Sequence, residues 1–249
     1  MNTRAVRWTA SLLAAATATA LTGCGSGDDG PGSGELTVLA GFYPLEWTAA
    51  RVGGENVSVS SLTPPGAEAH DLELAPQEVA AVAEADLLVY LDGFQPALDE
   101  AAGSEGGDHA WDAGQAADLL AGEAHADEDD HADEDHGHGD EAVDPHFWLD
   151  PMRLASVAGA LADRLAELDP DGAPAYAENA AALRADLEAL DGEMREGLSG
   201  CAVGTLVTAH DAFGYLGGRY GLEVVGISGL SPSQEPDPAQ LAEIATLVR

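Results

Sequence analysis

Short strand-like segments alternate with helical segments in the first part of the chain, and this order limits the fold more than any other feature. Residues 35–40, 57–62 and 87–91 are predicted strands, and helices are predicted at 45–52, 76–85 and 93–102. The segment Leu87–Leu91 (LLVYL) carries no charged side chain, as is typical of a strand covered on both faces of a parallel sheet. The β-α-β-α order therefore predicts an α/β lobe built on a parallel sheet.

Two longer helices are predicted in the middle of the chain. Asp150 followed by Pro151 is a helix-start signal, and the helix it begins should run to about Leu168. Apolar side chains between Tyr176 and Met194 recur at spacings of three, four and seven residues. This recurrence predicts a second helix over 174–198, with Leu183, Leu187 and Leu190 on the same apolar face.

A second strand–helix alternation follows the long helix. Strands are predicted at 202–209, which should be buried, and at 222–227, with helices at 213–220 and from 238 to 249. A lobe with only two strands is too small to form a parallel sheet that is covered on both faces. We therefore expect the second lobe to be incomplete in this sequence. The predicted division is an N-terminal lobe at 35–173, a linking helix at 174–198 and a partial C-terminal lobe at 199–249.

The first 34 residues have the pattern of an export signal followed by a tether. Arg4 and Arg7 precede an uncharged, Ala- and Leu-rich stretch, so residues 1–23 are predicted to be a signal peptide rather than a membrane span. The end of this segment, Leu-Thr-Gly-Cys24, resembles the bacterial lipobox, whose cysteine is lipidated and becomes the first residue. The resemblance implies a lipid anchor on Cys24, a flexible glycine-rich tether at 24–34, and an extracytoplasmic location on the cell membrane. The alternative is an ordinary signal peptide followed by an unmodified cysteine.

The charge balance excludes one class of partner. The chain of 249 residues has 45 acidic side chains against 9 basic ones, a net charge of −36. Nucleic acid is excluded as a partner, because phosphate binding needs a basic surface. Residues 123–141 concentrate ten acids and four histidines with almost no bulky apolar residue, so they are predicted to be a disordered loop. With only Cys24 and Cys201, a disulfide framework is not expected.

Three histidines stand in ordered context outside the acidic loop. His70 follows a strand and a Pro-Pro-Gly turn, His146 lies in an Asp-Pro-His-Phe-Trp segment, and His210 ends a strand. Taken singly, each suits a structural role better than a ligand role. Because α/β folds place ligands at strand ends, the three together predict a metal site. Neutral imidazoles suit zinc, which takes three or four nitrogen, oxygen or sulfur ligands.

Several motifs, in order along the chain, resemble one known family. They are Phe42–Leu45 (FYPL), Thr63–Asp71 (TPPGAEAHD), Asp144–Pro151 (DPHFWLDP), Thr208–Tyr215 (TAHDAFGY) and Ser231–Pro238 (SPSQEPDP). They are similar to motifs of the cluster A-I metal-binding receptors of ABC transporters, the ZnuA/TroA-like family. The resemblance implies a TroA-like periplasmic binding protein with two α/β lobes joined by one rigid helix, and metal held between the lobes. It also implies an ABC permease and ATPase as partners, and we expect a monomer.

The family resemblance assigns ligands residue by residue. It implies that His70, His146 and His210 bind the metal, with an acidic fourth ligand past Arg249. Glu68, two residues before His70, is a further candidate ligand. The alternatives are that Glu68 only hydrogen-bonds a ligand, or that it is a plain solvated acid.

Zinc is favoured over manganese at this site. Manganese and iron members of the family often carry a carboxylate at the third position, where this chain has His210, and imidazoles favour zinc. The acidic loop resembles the His-rich insertion of zinc members. Its histidines are expected to bind zinc weakly and pass it on; they are His125, His131, His136 and His138. The alternative for the loop is a solvated acidic linker.

The resulting hypothesis is an extracytoplasmic receptor that binds Zn²⁺ as cargo and delivers it to an ABC importer permease. The alternatives are a manganese or iron receptor of the same family, and a surface metal buffer or adhesin lipoprotein, since some members have been called adhesins. A zinc hydrolase is not expected, because the sequence has no His-Glu-x-x-His and no Gly-x-Ser-x-Gly motif. We therefore predict a binding protein, not an enzyme.

Overall fold

A computed structural model of the chain describes residues 35–121 and 143–248. The predicted signal peptide and tether, the lipidation site Cys24 and the loop 123–141 with its four histidines lie outside the described residues.

Four parallel strands form the first sheet. They are β1 (Leu36–Ala40), β2 (Val57–Ser61), β3 (Leu87–Tyr90) and β4 (Ala110–Asp112). Their spatial order is β2-β1-β3-β4, and every neighbouring pair is parallel. β4 was not predicted, because a strand of three residues is too short to show a recognisable periodicity.

Helices cover this sheet and continue the chain to the second sheet. The described α-helices are α1 (Tyr43–Gly53), α2 (Pro76–Glu84), α3 (Pro96–Ala101), α4 (Gly114–Ala117), α5 (Pro151–Leu168), α6 (Ala173–Leu198), α7 (Gly214–Tyr220) and α8 (Pro238–Leu247). Single turns of 3₁₀-helix lie at Gly54–Asn56, Gly107–His109 and Phe147–Leu149, and a π-helical turn lies at Ala102–Gly106. The short helix α4 was not predicted.

Both faces of the first sheet are buried, which explains the continuous apolar character of its strands. Val38 and Val89 point into a core shared with α1, α5 and α6, whereas Leu39 and Leu88 point into a second core on the opposite face. Successive side chains of a strand alternate between faces. An apolar residue is therefore needed at each position, as the sequence of β3 predicted.

The two long helices begin where the sequence predicted but differ in burial. The Asp150 side chain caps α5 by accepting hydrogen bonds from the backbone N–H groups of Met152 and Arg153. The predicted apolar face of α6 is buried only as far as Leu187, and Leu190 is 43% exposed. At 1.5 Å per residue, α6 is about 39 Å long and α5 about 27 Å. Because a short turn joins these two helices, the end of α6 extends past α5 and is not covered by it.

A second, two-stranded parallel sheet follows α6. It consists of β5 (Thr205–His210) and β6 (Glu223–Ser228). The prediction of a buried strand at 202–209 was wrong in two respects: the strand begins at Thr205, with Val203 73% exposed, and its residues are at best half-buried. The physical reason is that α7 and α8 both pack against β6. β5 therefore remains partly uncovered.

The predicted class, α/β with parallel sheets on either side of one long helix, is confirmed. The described part of the chain groups into one compact unit, and the finer boundaries at 173 and 198 stay predictions. Within the described residues, no helix has both the length and the apolar character needed to cross a membrane.

Candidate metal centre

Three separate segments bring the predicted histidines together. His70 lies in the loop between β2 and α2, His146 lies just before the 3₁₀ turn that leads into α5, and His210 is the last residue of β5. One ring nitrogen of each histidine lies within 4.8 Å of those of the other two. Because β5 belongs to the second sheet, the cluster joins side chains from both parts of the fold.

Two of the rings are already at the separation of zinc ligands. Nε2 of His146 lies 3.3 Å from Nε2 of His70. In a tetrahedral site with Zn–N bonds of about 2.0–2.1 Å, two ligand nitrogens lie roughly 3.3–3.4 Å apart. The centroid of the His210 ring is 5.3 Å from that of His146 and 5.7 Å from that of His70. The three rings can therefore face a common ion after a small movement of His210.

A buried carboxylate holds His146 in place. Oδ1 of Asp144 accepts hydrogen bonds from Nδ1 of His146 at 2.7 Å and from its backbone N–H at 2.9 Å. Asp144 is 6% exposed and His146 is 2% exposed. Since a carboxylate can only accept, the proton lies on Nδ1 and the lone pair of Nε2 faces the other histidines. This carboxylate–histidine arrangement is the one that orients metal ligands. Asp144 was not predicted as part of the site, although its spacing of two residues from His146 was a usable signal.

Aromatic side chains surround the histidines on the side of the first sheet. Phe94 packs edge-on against His70 with ring centroids 4.6 Å apart, and Trp148 lies 5.3 Å from His146. Phe42 contacts both Phe94 and Trp148, at 4.8 and 4.9 Å. These rings exclude water from one side of the cluster and were not predicted as part of the site.

The surroundings of His70 and His210 favour their neutral imidazoles. Burial lowers the pKa of His70 to about 4; the nearby His146 lowers it further, while Glu68 opposes the change. Burial also lowers the pKa of His210, with the same opposition from Glu68. Only a neutral imidazole has a lone pair for a metal, so His70 and His210 can bind at neutral pH without first releasing protons.

Glu68 lies beside the cluster and is not one of its members. Its carboxylate Oε1 accepts a hydrogen bond from the backbone N–H of His70 at 3.3 Å, and the residue is exposed. This contact matches the alternative in which Glu68 supports a ligand. A direct bond from Glu68 to the metal stays a prediction.

The loop that carries His70 is tied to the first sheet by a buried glutamine. Nε2 of Gln95 donates hydrogen bonds to Oγ1 of Thr63 at 3.0 Å and to the carbonyl of Ala69 at 2.9 Å. Thr63 in turn donates to the carbonyl of Gly41 at 2.6 Å. Nothing in the sequence singled out Gln95, because its two partners lie 26 and 32 residues away along the chain.

A fourth histidine outside the acidic loop was overlooked in the sequence and serves as a useful contrast. His109 ends the 3₁₀ turn directly before β4 and places Nε2 2.9 Å from the carbonyl of Val82. It is not part of the cluster formed by the other three. His109 is therefore a structural histidine.

Comparison with known proteins agrees with this geometry. The model of the family described as "Zinc-uptake complex component A periplasmic", ZnuA, matches residues 38–249. The chain belongs to the ZnuA family. The resemblance seen in the sequence motifs is thus confirmed. The matched residues include strands of both parallel sheets and all three clustered histidines.

Among its relatives in the ZnuA family are two named zinc proteins. The chain is 35% identical over 220 residues to the zinc-binding lipoprotein AdcA of Streptococcus pneumoniae TIGR4, covering 87% of this chain and 43% of that protein. It is 32% identical over 251 residues to the high-affinity zinc uptake system protein ZnuA of Bacillus subtilis 168, covering 98% of this chain and 78% of that protein. The chain thus spans less than half the length of AdcA.

Solved structures show the same fold. A Zn(II)-bound variant of AdcAII from S. pneumoniae superposes with a TM-score of 0.73 at 30% identity, covering 88% of this chain and 78% of that one. The laminin-binding protein Lmb of Streptococcus agalactiae, described as bifunctional with adhesin and metal transporting activity, superposes with a TM-score of 0.70 at 31% identity, covering 86% and 76%.

Proposed function

We propose that this protein is an extracytoplasmic receptor that binds Zn²⁺ and delivers it to the permease of an ABC importer. The observation that carries the proposal is the convergence of His70, His146 and His210 from both parallel sheets onto one point. A site built between two parts of a chain can hold an ion and release it when those parts move. Membership of a zinc-uptake family supports the same role.

Zinc is favoured as the cargo by the chemistry of the donors. Three imidazole nitrogens and a buried orienting carboxylate suit zinc, whereas manganese prefers carboxylate and water oxygens. Relatives named for zinc binding and zinc uptake, and a Zn(II)-bound structural neighbour, support this choice. A manganese or iron receptor is the alternative with the less suitable donor set.

The remaining parts of the proposal concern location and partners. We propose a lipid anchor on Cys24, a monomeric receptor, and an ABC permease and ATPase as the proteins that receive the ion. The role is binding and delivery, without catalysis. Adhesion remains an alternative role, favoured by the description of the S. agalactiae neighbour as both adhesin and metal transporter.

Metal titration of single variants tests the proposal. The metal-free protein is titrated with Zn²⁺ and separately with Mn²⁺ against a chromogenic chelator, as parent and as His70→Ala, His146→Ala and His210→Ala. Each substitution removes one nitrogen donor and should weaken zinc binding by more than about tenfold. His109→Ala is the matched control, since the ring of that histidine bonds the carbonyl of Val82 and lies outside the cluster.

Two outcomes would contradict the proposal. Parent-like zinc binding in all three variants would contradict the assignment of the three histidines as ligands. Tighter binding of Mn²⁺ than of Zn²⁺ by the parent would contradict zinc as the cargo. Uptake of zinc by the native host under zinc starvation, with and without the gene, tests delivery.

A further inference from the structure

One face of the short helix α7 contacts the segment that carries His146. Tyr215 and Arg219 are four residues apart and so project from the same side of α7. α7 begins at Gly214, four residues after His210, and the intervening turn is closed by a 2.9 Å hydrogen bond from the Ala212 N–H to the His210 carbonyl. Contacts of this helix therefore bear directly on where His210 lies.

Tyr215 makes the first of these contacts. Its hydroxyl donates to the backbone carbonyl of Asp144 at 2.7 Å and accepts from the backbone N–H of Leu120 at 2.8 Å. The residue is buried, and the guanidinium of Arg153 lies 5.0 Å from the centre of its ring. Burial raises the pKa of Tyr215 to about 12, so the hydroxyl keeps the proton that it donates. Asp144 is also the residue that orients His146, so a single hydroxyl connects α7 to the support of that histidine.

Arg219 makes the second contact, one turn further along. Its guanidinium pairs with the Asp150 carboxylate at 3.2 Å and with the Asp191 carboxylate at 2.6 Å. Asp150 caps the start of α5, four residues after His146, and Asp191 lies on α6 and also binds Arg195 at 2.8 Å. Arg219 therefore joins α7 to two helices that share a hydrophobic core with the first sheet.

We propose that Tyr215 and Arg219 are positioning residues that hold the His146 segment at a fixed separation from His210. This inference rests on the proposed zinc site and adds the contacts that hold its two parts at a fixed distance from each other. Without these contacts the position of the His210 side of the site would depend on the remaining contacts between the two parts. Part of the zinc-binding free energy would then be spent on bringing the imidazoles together.

The chain offers a matched control for a purely stabilising tyrosine. Tyr176 on α6 is also fully buried, and its hydroxyl donates to the Asp169 carboxylate at 2.8 Å. Tyr176→Phe therefore removes a buried tyrosine hydroxyl together with its hydrogen bonds, as Tyr215→Phe does. Asp169 lies in the turn between α5 and α6, and Asn56, which also hydrogen-bonds this hydroxyl, lies just before β2. These bonds therefore do not connect the two parts of the site.

Zinc affinity and the cobalt spectrum of the two tyrosine variants test the proposal. The full chain is compared as parent, Tyr215→Phe and Tyr176→Phe, with Zn²⁺ affinity from chelator competition and thermal unfolding without metal. Tyr215→Phe removes both hydrogen bonds of the hydroxyl, and the loss of the one to Asp144 should weaken zinc binding by roughly 5- to 10-fold, because Asp144 supports a ligand. The visible absorption of the Co²⁺-loaded Tyr215→Phe protein should change in intensity, because this spectrum reports ligand geometry. Tyr176→Phe should lower the unfolding temperature and leave both metal readouts unchanged.

A second pair of variants keeps the test decisive if Tyr215→Phe does not fold. Arg219→Met removes both ion pairs and should weaken zinc binding, whereas Arg219→Lys retains the charge and should restore part of the affinity. Parent-like zinc affinity and cobalt spectrum in Tyr215→Phe, or equal losses in Tyr215→Phe and Tyr176→Phe, would overturn the positioning role. The proposed function fails separately, through parent-like binding in the three histidine variants.

Discussion

The carboxylate of Asp144 lies 2.7 Å from Nδ1 of His146, and both side chains are almost completely buried. This contact selects the tautomer in which Nε2 of His146 is free of hydrogen and available to a metal. Asp144 also offers its backbone carbonyl to the hydroxyl of Tyr215. One residue thus orients a candidate ligand through its side chain and contacts the second part of the fold through its main chain.

Replacing Asp144 by Asn should weaken zinc binding about 10- to 100-fold. The amide is close in shape but neutral, so it makes the bound imidazole a weaker electron donor. Competition titration with a zinc chelator measures the change. Asp237→Asn is the control, because Asp237 caps α8 and Asn caps a helix equally well. Unchanged affinity in Asp144→Asn would show that this carboxylate does not support the site.

Gly214→Ala should weaken zinc binding several-fold. A Cβ atom on Gly214 would lie 3.0 Å from Oδ2 of Asp144, so the carboxylate that orients His146 would have to move. Gly218→Ala in the same helix is the control, because its added Cβ has no neighbour within 4 Å among the described residues. Both substitutions should favour helix formation by roughly 0.5–1 kcal/mol. Equal zinc affinities in the two variants would contradict the close approach of α7 to Asp144.

The stability of the protein should fall in acid partly through Asp191. A hydrogen bond from Arg219 holds the pKa of this carboxyl well below its ordinary value of 3.8, with a further hydrogen bond from Arg195 and opposition from burial. A depressed pKa means that the folded protein keeps Asp191 charged where the unfolded chain binds a proton. The contribution is therefore complete above pH 3.8 and is lost as the pH falls below that value.

Thermal unfolding of Asp191→Asn between pH 7 and pH 3 measures this contribution. The substitution should lower stability by about 2 kcal/mol at neutral pH, roughly 4–8 °C in melting temperature, and the difference from the parent should shrink in acid. Arg219, Arg195 and Tyr220 face this carboxylate, with Asp150 on the other side of Arg219. Asp186→Asn is the control, because its ion pair with Arg51 is exposed and should contribute little. A difference that stays constant down to pH 3 would contradict the assigned shift.

Deleting residues 123–141 should leave the tight zinc site intact and remove only weaker, additional zinc equivalents. Ala121 and Val143 pair as an isolated antiparallel bridge, so the deletion joins two points that are already neighbours. The loop sites are expected to be weak, since a chain without a core must lose conformational entropy to surround an ion, and sensitive to salt. Titration calorimetry separates the phases; loss of the tight phase would mean that the loop supplies a primary ligand.

Cys24→Ser should release the protein from the membrane fraction of its native host. The substitution removes the sulfur that the lipobox resemblance assigns to the lipid. Fractionation followed by mass determination of the mature amino terminus measures this, with Cys201→Ser as the control cysteine. A parent protein that carries no lipid at residue 24 would contradict the anchor.

The local parts of this fold could be read from the sequence. The apolar segments of β1 and β3, the Asp150-Pro151 helix start and the placement of three histidines at strand or segment ends are patterns within a few neighbouring residues. Helix and strand periodicities extend over such short stretches of sequence, so they can be recognised without knowing which elements pack against them. Elements of three or four residues, such as β4 and α4, lie below that limit. The partial exposure of β5 depends on which elements pack against it, and a strand pattern does not reveal these elements.

Only the tertiary structure determined how the site is held. The Tyr215 hydroxyl hydrogen-bonds Leu120, which lies 95 residues earlier in the chain. Arg219 hydrogen-bonds Asp150, which lies 69 residues earlier. The 3.3 Å approach of His146 to His70 spans 76 residues. The sequence could name His70 and His210 because strand ends in parallel sheets converge, and His146 because its motif resembles one of a known family. It could not reveal which polar side chains support them, because a hydrogen bond depends on a few tenths of an ångström that are set by the packing of several elements together.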